Sequence, residues 1–363
     1  MAKLWYDGLT HVQRAFIVLL RSGLWETSVE EVSLFPLSEA DWHEVFRLSQ
    51  QQTVQGLLYR SFQHLPTHLH PPQSLVMQWV VMAARLEKEY KRFSQATEAT
   101  RLLLTEAGLQ PVLQKGISVA AYYEHPELRV NGDIDWYIGE EVDTETICDF
   151  LKAKGYTSEV RADRSICFEY QDIDVELHRQ LFDLDAPRHR KAANENYQLS
   201  TVNCQLSTLN SQLSTLLMLN AHILKHVCTV GIGLRQFCDM ARAYHTLFGT
   251  YDAEQLTETY RQTGLLKWSG LMHQVLVHVL GLSADEVPTS VPALTSDGRK
   301  LIRKVLHWGN FGHYTSAGQL TKLHTLRQII RQLPFSLRYA PIETAYKIKN
   351  LVIGQKYLSN HHE

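Results

Sequence analysis

The chain has 363 residues, 44% of them hydrophobic and 20% charged, with a formal net charge of −2. That balance suits a folded globular chain and excludes a whole-chain electrostatic pull toward nucleic acid or a membrane surface. No apolar run reaches the length of a membrane span, and "MAKLWYDGLTHVQRAF" is too polar for a signal peptide. Cys148, Cys167, Cys204, Cys228 and Cys238 form no CxxC pair, which argues against a disulfide framework or a zinc knuckle and fits a cytoplasmic location.

Residues 1–104 read as an N-terminal helical region. In "LSEADWHEVFRLSQQQ", Ser38 and Asp41 stand in capping-box positions before apolar residues at helical spacing. After Pro71-Pro72, Leu75, Trp79, Met82, Leu86, Tyr90, Phe93, Thr97 and Leu104 follow one face of a long helix, with Gly108 as its C-cap. From 105 to 185 the pattern changes to an α/β core. "LQPVLQKG" reads as a strand, "ISVAAYYEHP" as one or two helical turns and "NGDIDWYIG" as a strand. "TETICDFLKAKGY" reads as a helix, and "TSEVRA", "SICFEYQ" and "DIDVELHRQL" as strands. In residues 186–215, Gln-Leu-Ser-Thr recurs with a period of seven at Gln198, Gln205 and Gln212. Leu199, Val202, Leu206, Leu209, Leu213 and Leu216 match coiled-coil spacing, but the remaining Ser, Thr, Asn and Gln positions favour a tandem duplication in a tolerant loop. The last copy would cap the following helix. Residues 216–363 read as a C-terminal helical region. From Leu301 onward it carries nine Lys/Arg against two Asp/Glu, which suits either an anionic partner or, more simply, solvated helix faces.

The chemistry concentrates in "LRVNGDIDWYI". Asp133 and Asp135 point to one side of a strand while Ile134, Trp136 and Ile138 point to a core. Two carboxylates this close oppose each other's ionisation unless a cation relieves them, and hard oxygen ligands suit Mg²⁺. A third carboxylate on a neighbouring strand would complete a two-metal site. "DIDVELH" offers it. Ile173, Val175 and Leu177 form its buried face, and Asp172, Asp174, Glu176 and His178 the other, so either Asp174 or Glu176 can serve. The plainer account is a strand with an exposed acidic face, or Asx turns after Gly132.

"LQKGISVAAYYEHPELRVNGDIDWYI" resembles the Lys-Gly, Tyr-x-x-Pro, Arg-x-x-Gly-Asp-x-Asp signature of the uncharacterised nucleotidyltransferase family, within the DNA polymerase beta-like superfamily. "VELH", "HILKHVCTVGIGLRQFCDMARAYH" and "DWHEVFRLSQQQTVQGLLYR" resemble further family segments in the right order, over about residues 35–245. The resemblance implies an α+β fold: a small mixed sheet flanked by helices, with metal carboxylates at its edge. It implies transfer of a nucleoside monophosphate from an NTP to an acceptor, with Mg²⁺ or Mn²⁺ held by Asp133, Asp135 and Asp174 or Glu176. The acceptor class stays open between protein, small molecule, sugar and RNA. A catalytically inactive scaffold or regulatory module with the same fold is the alternative. The superfamily has Gly-Ser where this chain has Lys115-Gly116-Ile117-Ser118. Gly116 still admits close backbone approach by a phosphate, and Lys115 supplies a point charge.

Further residues have two readings each. Arg129 reaches a phosphate or pairs with an acidic strand residue. His222 and His226 have zinc spacing but suit helix packing as well. Lys225 faces the triphosphate or lies on a helix surface. Arg235 and Asp239 form a surface ion pair at i, i+4, or Arg235 orients substrate. His178 contacts the acceptor or packs on the sheet.

Overall fold

Thr10 and Ser38 start two N-terminal helices by the same device. Each side-chain oxygen accepts from the amide three residues on, and Gln13 or Asp41 reaches back to the cap amide. These helices are α1 (His11–Trp25) and α2 (Glu39–Gln51); α3 (Gln55–Ser61) and α4 (Gln73–Glu106) complete the N-terminal group. The computed structural model describes residues 6–161, 163–201, 212–229, 231–309 and 322–359. At 1.5 Å per residue, the 34 residues of α4 span about 51 Å. Leu75 and Trp79, near its start, belong to a helical core with α1–α3, whereas Phe93, Ala96 and Leu104, near its end, belong to a second core beneath a sheet.

That sheet holds β1 (Val112–Leu113), β2 (Ile134–Tyr137), β3 (Ser158–Val160), β4 (Ile166–Tyr170) and β5 (Ile173–His178), in spatial order β1-β2-β5-β4-β3. β2 and β5 are parallel and the other pairs antiparallel. The parallel pairing requires a crossover, supplied by α6 (Thr144–Ala153) and the β3–β4 hairpin. The short helix α5 (Ile117–Ala120) joins β1 toward β2. Ile134, Trp136, Ile173, Val175 and Leu177 face the sheet core as strand alternation requires. The Trp136 indole donates to Thr100 Oγ1 at 3.0 Å, tying β2 to α4. The fold is therefore α+β, a small mixed sheet among helices.

α7 (Pro187–Thr201), α8 (Gln212–Val227), α9 (Leu234–Leu247), α10 (Ala253–Gln262), α11 (Leu266–His278) and α12 (Ser296–Trp308) follow, then α13 (Lys322–Tyr339) and α14 (Pro341–Ser359). α8 and α9 close over the polar side of the sheet. The segment read as a loop from 186 is helical from Pro187 to Thr201. Its proline stands at the first helical position, where it loses no hydrogen bond. The third Gln-Leu-Ser-Thr copy opens α8, while residues 202–211 of the repeat lie outside the described residues. Glu343 of α14 accepts from the amides of Asp185 and Ala186 and lies 2.6 Å from His189 Nδ1, so the tail helices anchor the loop after β5. Cys148, Cys167, Cys228 and Cys238 are free thiols; Cys204 lies outside the described residues. Among the described residues, no helix is long and apolar enough to cross a membrane.

Candidate functional site

The register of β2 and β5 sets Asp135 beside Glu176 and Tyr137 beside His178. Asp135 is 1% exposed. Its Oδ1 lies 2.7 Å from His178 Nε2 and 3.1 Å from Lys115 Nζ, whereas its Oδ2 is buried with no hydrogen-bond partner among the described residues. Glu176 takes Arg161 Nη1 at 2.6 Å on one oxygen and lies 3.5 Å from His178 Nε2 on the other. Ligand atoms of Asp135, Glu176 and His178 all lie within 4.8 Å of one another. Asp133 precedes β2 and lines the same cavity. Asp174 shares the polar face of β5, but it is exposed, sits across from Glu169 of β4, and is not among the residues lining the cavity.

The charges are unequal in character. Burial, then the neighbouring Asp135, raise the pKa of Asp133 to about 6, against the pull of Lys115. Burial also works against the charge of Asp135, but Lys115 and His178 outweigh it and hold that carboxyl below the ordinary range. Lys115 is in turn held charged: burial opposes it, and Asp135, Asp133 and Asp183 overcome that. The cleft therefore carries one firmly ionised carboxylate beside one that yields its proton reluctantly.

The cavity has a volume of about 330 Å³. Gly116 lines its sheet side with a φ of +73°, and a Cβ there would meet the Asp133 carbonyl at 3.2 Å. Glycine thus permits both the left-handed turn and the close approach. Gly132 lines the cavity as well. The Ser118 hydroxyl points back to the Gln114 carbonyl at 3.5 Å and takes no part in the lining.

The opposite wall comes from α8, α9 and the loop after β5. Asp183 accepts from Lys225 Nζ at 2.6 Å and lies 2.8 Å from His222 Nδ1. Burial raises the Asp183 pKa less than Lys225 and His222 lower it, so it stays well below the ordinary range. His222 and His226 stack edge-on with centroids 4.5 Å apart. Arg129 reaches neither acidic strand. Its Nε and Nη2 donate to Asp239 at 2.7 and 2.8 Å, and the Tyr123 hydroxyl donates to the same carboxylate at 2.7 Å. The expected Arg235–Asp239 surface pair is not what forms: both residues are buried, Arg129 takes Asp239, and Arg235 Nη1 donates to the Val130 carbonyl at 2.7 Å. The fold brings residue 129 and residue 239 together, which i, i+4 spacing does not report.

Sequence reasoning missed Asp183, Arg161 and the partnership of Arg129 with Asp239. Asp183 sits in "LFDLDAP" with no periodicity to single it out, and Arg161 meets Glu176 only because β3 and β4 form a hairpin. The donor set fits a hard divalent cation. Two strand carboxylates and an imidazole converge, and one of the carboxylates keeps a buried oxygen that is unpaired among the described residues.

No curated protein and no solved structure matches the chain. A model of the uncharacterised nucleotidyltransferase family matches residues 38–281, from the capped start of α2 through α11, and includes every wall of this cavity. The chain belongs to that uncharacterised nucleotidyltransferase family.

Proposed function

We propose that the protein transfers a nucleoside monophosphate from an NTP to a hydroxyl acceptor, releasing pyrophosphate. One observation carries this reading: the buried Oδ2 of Asp135, unpaired among the described residues, stands beside Glu176 in a charged cavity large enough for a polyphosphate. Asp135 and Glu176, with Asp133 just before β2 and His178 beside them, are the residues that would hold a divalent cation, Mg²⁺ or Mn²⁺. When bound, that ion supplies neutralisation of phosphate charge in the transition state. Lys115 and Arg235 offer fixed positive charge along the walls, and the bare backbone at Gly116 admits a phosphate closely. Arg161 holds Glu176 in place. The acceptor is a protein, small molecule, sugar or RNA, and a cytoplasmic location, where NTPs are abundant, suits the reaction.

A second reading is a nucleotide-binding module without turnover. It is favoured by Lys115, whose ammonium already neutralises Asp135 at 3.1 Å. Melting curves with the four NTPs, with and without Mg²⁺ or Mn²⁺, combined with an assay of pyrophosphate release, separate the two. A metal-dependent NTP shift with release supports the enzyme, and a shift without release in the presence of cell extract supports the module. No shift with any NTP overturns both, since a ligand that binds only the folded state must stabilise it.

A further inference from the structure

We infer that His222 is the group that takes the proton from the acceptor hydroxyl. The inference rests on the transferase reading and adds to it a residue on the wall facing the strand carboxylates. Asp183 is a charged carboxylate held by Lys225, and it accepts only, so the ring nitrogen 2.8 Å away must carry the hydrogen. With Nδ1 protonated, Nε2 bears the lone pair. Nε2 has no hydrogen-bond partner among the described residues, and the ring lines the cavity with its side chain 11% exposed. A carboxylate that fixes the tautomer of an imidazole, with the basic nitrogen open to a substrate cavity, is the arrangement a general base needs.

The step balances. The acceptor O–H bond breaks, its proton goes to Nε2, and the oxygen forms a bond to the α-phosphorus. The bond from the α-phosphorus to the bridging oxygen breaks, and pyrophosphate leaves with that electron pair. The imidazolium then returns its proton to solvent. Asp183 stabilises the transient imidazolium by charge.

The titratable and charged groups around His222 are Asp183 from the loop after β5, Lys225 and His226 on its own helix, and Lys115 and Asp135 from the sheet side. Burial and then Lys115 push the His222 pKa down to about 4, which keeps the ring neutral near pH 7. An NTP in the cavity brings negative charge that opposes the influence of Lys115. The base therefore strengthens when the nucleotide arrives. The bland alternative is a clamp that only ties α8 to the loop after β5.

His222→Asn separates the two, because the asparagine amide retains a donor for Asp183 and removes the cavity-facing nitrogen. The probe is an equimolar mixture of the four NTPs with Mg²⁺, with water as acceptor and pyrophosphate release as readout. The variant should keep the NTP-dependent melting shift and the KM for NTP while kcat falls by about 10²–10⁴-fold. A variant that binds NTP and turns over like wild type overturns the proposal and leaves the transferase reading intact. A wild type that neither binds nor hydrolyses NTP overturns both. If the variant does not fold, ¹⁵N-histidine NMR of the wild type decides. A neutral Nδ1–H tautomer whose pKa rises on adding NTP supports the base, and an Nε2–H tautomer overturns it.

Discussion

Asp135 and Asp239 line one cavity, are 1% and 3% exposed, and carry the same charge, yet the protein treats them in opposite ways. Asp239 has both oxygens engaged, by two donors of Arg129 and by Tyr123. Asp135 has its donors crowded on Oδ1 and, among the described residues, none on Oδ2. Burial alone therefore does not distinguish a carboxylate with both oxygens paired from one with an oxygen left open among the described residues. The distribution of donors between the two oxygens does, because an unpaired buried acceptor is destabilising unless something else pairs with it.

The largest expected effect lies on the satisfied side. Arg129→Ala leaves Asp239 buried without its guanidinium, so urea denaturation should show a loss of about 3–5 kcal/mol or an unfolded chain. A loss below about 1 kcal/mol would place Asp239 with Asp135 and erase the contrast.

His273 sharpens the same distinction through pH. It is fully buried, lying 2.9 Å from the Tyr244 hydroxyl and 2.9 Å from Thr289 Oγ1, and burial pushes its pKa down to about 3. The unfolded chain, with histidine near 6.5, binds more protons than the folded one between those values. Stability present above about pH 6.5 is therefore lost as pH falls, by up to about 1.4 kcal/mol per unit. His222 acts in the same direction. Denaturation midpoints from pH 7 to 5 should fall less steeply in His273→Gln than in wild type, and equal slopes would deny His273 its part.

On the open side the sign reverses. Asp133 faces Asp135 and Glu176 as like charges. Asp133→Asn should leave apo stability unchanged or raise it, on the order of 1 kcal/mol, as a calorimetric melting curve would show. A drop of more than about 1 kcal/mol would mean that Asp133 holds structure. Arg161→Ala should change stability least, by under about 1 kcal/mol, because its pair with Glu176 is solvent-exposed on the arginine side. A larger loss in the same denaturation assay would make that pair part of the core.

Much of this sheet was legible because strand alternation is a local property. Ile134, Trp136, Ile173, Val175 and Leu177 announce one buried face, and the acidic residues between them announce the other. Alternation puts Asp174 and Glu176 on that same face, so only the register, which sets Glu176 against Asp135, tells them apart. The partners of Arg129 and His222 were not legible, because Asp239 and Asp183 meet them through folding and not through spacing. The extent of α7 was hidden by the weak helix formers of the repeat, whose first copy forms its C-terminal end.

The central claim is that Asp135 Oδ2 is kept for a divalent cation, and Mn²⁺ titration followed by electron paramagnetic resonance tests it most directly. The folded wild-type protein should deplete the free Mn²⁺ signal saturably, and Asp135→Asn, folded by circular dichroism, should weaken that binding at least tenfold. Equal Mn²⁺ affinity in wild type and variant, or none in the wild type with NTP present, would contradict the account.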